Sequence, residues 1–367
     1  AEKLAAGMYL ALRYGSADKT LDAILPDLVA RGADLSRCML CSDDVSAAEL
    51  GRDGHVDRII RRAREIFMQS GGMPAQDAAV RAIALATLNP AGYLSRFLDF
   101  HSLPPVGKVA PGHRANLALL RSLENIEVET VIRGGVIVAE RGRLVQRKPR
   151  DDYSALLKSV NVGKKITPED FVIAAPEKAK SVRARVIDVI PHCLLTKTAI
   201  VEMPAVNGEI KADPESDIAK IAVFERHHAT GSRMVALARG LGIKSNAIAS
   251  TVAHDSHNLI VAGVDDESMA RAAMYLVENG GGMVVVLDSG DVYFPLQIGG
   301  LMSTAGVEEV ARQYGAVVEA SRKIGMVHEN IFMTLSFISL PVIPELKITD
   351  RGLVDVGKFD FVPLFSA

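Results

Sequence analysis

Neither sign of charge is in excess in this 367-residue chain, where 42 lysines and arginines stand against 44 aspartates and glutamates. Without a basic block, or basic residues interleaved with aromatics, the chain lacks what a nucleic-acid groove needs, and nucleic acid is excluded as an expected partner. Cysteine is scarce, and three residues cannot make a disulfide framework. Long apolar runs are missing too: no stretch approaches the roughly 18 residues of a membrane span, and the opening residues show no basic-then-apolar signal. The expectation is a cytoplasmic protein without a membrane partner. What is plentiful is apolar side chain, 49% of residues, enough to bury a sizeable core. At roughly 100 to 200 residues per domain, the length suggests two or three domains.

Residues 8–41 read strand, helix, strand. In the helix Leu21, Ile24, Leu25, Leu28 and Val29 follow the i, i+3, i+4, i+7, i+8 stripe of an amphipathic helix. The second strand, Arg37 to Cys41, contains Cys38 and Cys41, a C-x-x-C whose side chains point to opposite strand faces and which reads as buried structural cysteine. It ends in Ser42, Asp43 and Asp44. A second stripe of Val56, Ile59, Ile60, Ala63, Ile66 and Phe67 predicts a helix whose arginine face (Arg58, Arg61, Arg62, Arg64) is solvated, and an alanine-rich helix runs from about Pro74 to Thr87.

Alternating strands and helices imply parallel pairing with right-handed crossovers, and in such sheets and barrels ligands bind at the carboxyl ends of the strands. Asp43 occupies such an end. It is a candidate for catalysis, or alternatively a cap for the helix that follows. Two strands and three helices cannot close a barrel, so the remaining strands are expected from residues outside this chain or from a partner.

Residues 104–147 change character, with short β-rich runs between Pro-Gly, Gly-Gly and Arg-Gly turns that predict a small antiparallel, sandwich-like unit. Its one histidine is His113. The polar stretch QRKPRDDYS reads as a linker, and a further domain begins near residue 165. There, IAVFERHHATG places a strand before Glu225, Arg226, His227 and His228. NAIASTVAHDSHNLIVAG places strands on both sides of His254, Asp255, Ser256, His257 and Asn258. Polar residues wedged between apolar strands need partners, and three uses are open for His254, Asp255 and His257: loop-tying hydrogen bonds, pocket lining, or metal ligation. Asp265, Asp266 and Glu267 predict a capped helix to Glu278, ended by Gly280 to Gly282, and then a hairpin with a Ser-Gly turn.

Seven segments in order, LCSDD…GHVDRII, ATLNPAGYL, GKVAPGHRANLALL, ERHHATG, ASTVAHDSHNLIVAG, GLMS and FMTLSFISLPVIPELKITDRGLVDV, resemble the bacterial adenine deaminases of the amidohydrolase superfamily. The resemblance runs over nearly the whole chain and is densest from about Glu225 to Val356. It implies an α/β fold made of the last strands of a (β/α)8 metal-dependent hydrolase barrel (1–103), a small β domain (104–149) and an α+β C-terminal domain (165–367). It implies hydrolysis of adenine to hypoxanthine and ammonia, as a homodimer acting on a small-molecule purine, with a binuclear divalent metal centre of manganese or iron, zinc being the alternative. The competing readings are an amidohydrolase acting on another purine or cyclic amide, and a non-catalytic structural fragment. The family's HxH metal motif does not occur here, which marks the chain as a C-terminal portion lacking the N-terminal barrel half. Of the expected metal ligands it keeps the last-strand aspartate, matched by Asp43, which would touch metal and carry a proton. Asp44, His254, Asp255, His257, Glu225 and His227 would line the substrate pocket or support it, with the C-terminal domain closing over the barrel mouth. Departures from the family pattern are Tyr14 where glutamate is common, Asn116 for aspartate and Gln297 for proline; Tyr14 bears on substrate choice.

Overall fold

The computed structural model describes residues 1–16, 18–145, 152–157, 159–190, 193–326 and 330–366, with Arg96 described by its backbone only. The expected linker at 146–154 falls largely outside these residues. Two compact units divide the chain, Ala1–Asp151 and Asp152–Ala367.

In the first unit, α1 (Glu2–Ala5) leads into β1 (Leu10–Arg13), α2 (Thr20–Ala30) and β2 (Cys38–Cys41). The two strands pair in parallel, Leu10 opposite Cys38 and Arg13 opposite Cys41, with α2 as the crossover. The stripe read in the sequence is the buried one: Leu21, Leu25 and Leu28 of α2 meet Leu12, Cys38 and the inner face of α4 (Val56–Gly71), namely Ile59, Ala63, Ile66 and Phe67. Burial pushes the Cys38 thiol up to about 11, so it packs as an apolar side chain, and both cysteines of the pair are free. A short α3 (Ala47–Asp53) precedes α4, and α5 (Ala75–Ala86) follows it.

Helix α6 (Leu88–Phe100) was not foreseen. Its Asn-Pro looks like a break, yet Pro90 is the third helical residue, where the backbone N–H has no intrahelical acceptor to lose. The β-rich segment is a single four-stranded meander, β3 (Leu117–Ser122), β4 (Glu127–Arg133), β5 (Val136–Glu140) and β6 (Arg143–Leu144), one sheet where a sandwich was expected. Between this sheet and helices α4 and α5 lies a largely apolar cavity of about 460 Å³, walled by Ile60, Ile83, Leu117, Leu120 and Val128.

The second unit carries β7 (Ile173–Ala174), β8 (Ser181–Val189), β9 (Thr196–Val206), β10 (Glu209–Ile210), β11 (Ile218–Phe224), β12 (Arg233–Arg239), β13 (Ala247–Ser250), β14 (Leu259–Gly263), α7 (Asp266–Glu278), β15 (Gly282–Val285) and β16 (Val292–Pro295). Then come α8 (Val307–Lys323), α9 (Ile331–Ile338), β17 (Leu346–Thr349), β18 (Gly352–Asp355) and β19 (Asp360–Val362). The described strands β7 to β16 join one sheet, in the order β16-β15-β13-β14-β11-β12-β8-β9-β10-β7.

β11 lies inside this sheet, antiparallel to both β12 and β14, and every residue of it is buried. Its alternation is that of a strand covered on both faces. Ile221 and Val223 pack with Val317 and Ala320 of α8, Phe332 and Leu335 of α9, and Leu346 and Ile348 of β17. Ala222 and Phe224 pack with Met269, Ala273 and Leu276 of α7. Lys220, the one charge in β11, is neutralised by Asp266 at 2.6 Å. Asp265 caps α7 by accepting from the Ser268 amide at 2.7 Å, and β15 and β16 form the hairpin read from the sequence. Among the described residues no helix is long and apolar enough to cross a membrane.

Candidate functional site

Parallel pairing sends the carboxyl ends of β1 and β2 in one direction, and the loops that leave them interlock. The Tyr14 amide donates to the Cys41 carbonyl (2.9 Å), the Ser16 amide to the Asp44 carbonyl (2.8 Å) and the Ser46 amide to the Ser16 hydroxyl (2.9 Å). Gly15 is required at the crossing: a Cβ there would sit 2.7 Å from the Ser42 carbonyl oxygen and 2.9 Å from that of Asp44.

Asp43 stands on this platform with φ of 53°, a left-handed conformation that aspartate tolerates better than most residues. Its Oδ1 accepts from the Asp44 amide at 2.8 Å and its Oδ2 from Arg13 Nη1 at 2.9 Å. Arg13 also reaches Asp18, at 3.1 Å. The Asp43 side chain is 40% exposed, so a carboxylate is aimed outward from a strand end while two donors hold it. The capping alternative is filled by another residue: Ser46 is the N-cap of α3, its hydroxyl accepting from the Glu49 amide at 3.2 Å. Asp44 serves the loop crossing through its carbonyl. Nearby, His55 Nε2 and Ser42 Oγ lie 3.2 Å apart.

Tyr14 has its ring under two cations, Arg58 at 5.0 Å and Lys19 at 5.5 Å from the centroid. Burial, seconded by Asp22, raises its phenol above the ordinary value, so it is a neutral hydroxyl. The arginine face of α4 is less solvated than expected. Arg58 is 12% exposed and ion-paired with Glu49 at 2.7 Å, and Arg62 pairs with Asp22 and Glu65. Among the described residues no three His, Cys, Asp or Glu side chains converge to hold a metal. Asp43 is thus a lone donor, and the side chains present do not fit a metal centre by themselves.

In the second unit the remaining candidates gather where β11 ends and where β13 gives way to β14. Glu225 is 9% exposed, and its carboxylate is used up locally. Oε1 accepts the amides of His227 (2.5 Å) and His228 (2.8 Å), and Oε2 accepts the amide and hydroxyl of Thr230 (3.0 Å each). Burial alone would raise its pKa, but these donors prevail and hold it at about 2. A carboxylate so committed organises a loop and moves no proton near neutral pH.

Arg226, next in sequence, is fully buried. Nε donates to the His257 carbonyl at 2.5 Å, Nη1 to that of Ser159 at 3.3 Å, and Nη2 to those of Gly299 (3.0 Å) and Thr251 (3.4 Å). Burial pushes the guanidinium down to about 10, with Glu225 opposing, and it stays protonated at neutral pH.

The loop it grips presents the histidines. His257 has φ of 51°, and its amide donates to the Ala253 carbonyl at 2.5 Å. Burial, then His254 and Arg226, lower its pKa below the ordinary histidine value, so the ring is neutral near pH 7. The His254 and His257 rings meet edge to face at 5.8 Å, and His254 stacks on Phe337 at 4.7 Å. His227 Nε2 lies 2.8 Å from the Ser256 carbonyl oxygen, and Asp255 lies 3.5 Å from His254 Nδ1 with its side chain 80% exposed. Asn258, 4% exposed, donates to Asp350 at 3.1 Å. His257 Nδ1 and Asn258 Oδ1 are shielded from solvent without a hydrogen-bond partner among the described residues.

The structure therefore brings His227, His254, Asp255 and His257 to one loop cluster and turns Glu225 inward as its support. The sequence reading missed the hub, Arg226. Its only signal was a second charged residue two positions after a seven-residue strand of buried side chains, where solvent is scarce.

Residues 193–360 match the family described as adenine deaminase C-terminal domain. The chain is 43% identical over 368 residues to adenine deaminase 2 of Carboxydothermus hydrogenoformans, covering 99% of this chain and 60% of that protein. It is 41% identical over 369 residues to adenine deaminase of Methanothrix thermoacetophila, with coverage of 99% and 60%. To adenine deaminase of Clostridium botulinum it is 40% identical over 366 residues, covering 99% and 58%. The chain thus spans about 60% of the length of the curated relatives it matches.

Proposed function

We infer that the chain, whose residues 193–360 match the adenine deaminase C-terminal domain, belongs to that family and is a portion of an enzyme converting adenine and water to hypoxanthine and ammonia. The observation that carries this is similarity at 43% identity along 99% of the chain to a protein of that name. In this reading β1, α2 and β2 are the closing elements of a (β/α)8 barrel, supported by their parallel register and by the acidic residue at the carboxyl end of β2. The enzyme acts in the cytoplasm as a homodimer.

Deamination needs a proton taken from the attacking water and delivered to the departing amine. Asp43 suits that transfer, because its carboxylate is partly exposed and held in place by Arg13 and the Asp44 amide. The binuclear manganese or iron centre implied by the resemblance, with zinc as the alternative, does not fit the described residues of this chain. Its other ligands would come from residues beyond it. The loop 251–258, with His254, Asp255, His257 and the adjoining His227, is proposed to contact the purine, while Glu225 supports the loop. A neutral imidazole such as that of His257 can donate or accept toward ring nitrogens and an exocyclic amine.

A second reading, an amidohydrolase acting on another purine or cyclic amide, is favoured by Tyr14, a neutral phenol where the family commonly has a carboxylate. Assaying the full-length protein with adenine, isoguanine and guanine, alongside metal analysis, separates the two. Turnover of adenine above the other bases is expected. A preference for isoguanine or guanine would move the assignment to the second reading, and a metal-replete protein inert on all three would end the first and leave the second only its cyclic amides and remaining purines.

A further inference from the structure

We propose that Arg226 is a positioning residue: by gripping the carbonyls of Thr251 and His257 at the two ends of the histidine loop, and those of Ser159 and Gly299 beside it, it sets where the loop presents its imidazoles. This rests on the reading of loop 251–258 as purine-contacting. It adds a residue that touches no substrate and acts through the loop.

Arg226 is wholly buried, and all its acceptors are backbone carbonyls, with no carboxylate among the described residues. A guanidinium taken from water without an anion is costly to bury, and an apolar residue would fill the same space at less cost if packing were its only role. Its planar fork can hold several carbonyls at fixed angles at once, which a point-charge ammonium cannot. The bond to the His257 carbonyl is the shortest of the four, and His257 is the residue held at positive φ. With its amide tied to Ala253 and its carbonyl to Arg226, the direction of the His257 ring toward His254 is determined from both sides of its Cα.

The seat of the guanidinium is equally specific. Gly300 has φ of 71°, and a Cβ there would lie 3.0 Å from Arg226 Nη1 and 3.1 Å from its Cζ. The Thr251 hydroxyl, at the start of the same loop, donates to the Gly300 carbonyl at 2.6 Å. Gly300 therefore offers an independent lever, because a methyl group there displaces the fork without removing the charge.

The test is steady-state kinetics of the full-length protein with adenine as the probe. Arg226→Gln and Gly300→Ala should each raise KM about tenfold or more with kcat within about threefold, the signature of lost binding interactions. Arg226→Lys, which keeps the charge and loses the fork, should fall between these and the parent. A hub that merely holds the fold together would lower the active fraction, and with it apparent kcat, at unchanged KM. That outcome in Arg226→Lys and Gly300→Ala, which both retain the positive charge, overturns the inference whether or not Arg226→Gln folds. His257→Ala tells the two failures apart. A parent-like KM in that variant means the loop does not contact purine; a raised KM there, with Arg226→Lys and Gly300→Ala parent-like, means that Arg226 does not position it.

Discussion

The strand end that bears Asp43 and the loops held by Arg226 solve opposite problems. Asp43 is an exposed charge with two donors, reachable by solvent, and its neighbourhood is built from backbone crossings at Gly15, Ser16 and Ser46. Arg226 is a buried charge that among the described residues reaches only carbonyls, and it holds together three segments of the second unit, at 159, 251–257 and 299. An exposed group is free to change protonation and partners during a reaction. A buried one is expensive to disturb and therefore suits the holding of a shape. Substitutions at the first should alter chemistry and spare stability, and substitutions around the second should do the reverse or shift binding.

The largest effect should come from Asp43→Asn in the full-length protein. Turnover of adenine should fall at least about a hundredfold, the usual scale of a general acid or base, while the melting curve changes little, since an exposed ion pair contributes about 0–1 kcal/mol. Near-parental turnover would remove Asp43 from the chemistry.

On the other side of the comparison, Glu225 ties pH to stability. Its folded pKa of about 2 lies below the ordinary 4.5. The stability it contributes is thus complete above about pH 4.5 and is lost as pH falls through about 2. The pKa difference corresponds to roughly 3 kcal/mol. Denaturant unfolding of the parent should weaken across that window. Glu225→Gln should be less stable at pH 7 and show a shallower acid limb, and parallel limbs in the two proteins would show that the carboxylate is not held as described.

A smaller change is expected at Ser46→Ala, which removes the cap of α3 and should cost about 1 kcal/mol of unfolding free energy. Because Ser46 ends the loop of Asp43 and donates its amide to the Ser16 hydroxyl of the facing loop, turnover in this variant measures how far that platform tolerates fraying. The smallest effect belongs to His113→Asn. Its ring is on the segment before the meander, and activity should stay within a few-fold of the parent; a collapse in turnover with the fold intact would make that segment part of the chemistry.

Much of this architecture was legible because its causes are local. The apolar stripe of α2, the Asp265 cap of α7 and the Ser-Gly hairpin each follow from residues within a dozen positions of one another. Asp43 was visible because a carboxylate at the end of an apolar strand stands out against its neighbours. Helix α6 was hidden by Pro90, whose effect depends on where the helix starts. Helices α8 and α9 were not read at all, although they cover one face of the central sheet. The resemblance implies that Glu225 lines or supports the substrate pocket; that its carboxylate is consumed by amides two, three and five residues on was not legible, because it depends on how the backbone turns after β11. Arg226 was the least legible, since its four acceptors are main-chain atoms of residues 159, 251, 257 and 299, and carbonyls leave no trace in the identity of a side chain.

β11 is paired along both edges and covered on both faces, so the exchange of its amide hydrogens with solvent has to wait for the rarest openings of the second unit. The loop of His227 begins one residue after that strand, where the ladder stops. Two timescales therefore meet at the boundary between Phe224 and Arg226: labelling of Ile218 to Phe224 over the longest times, and of the exposed loop between Arg226 and β12 far sooner. The loop of His227 can then open many times over before the strand that leads into it has opened once.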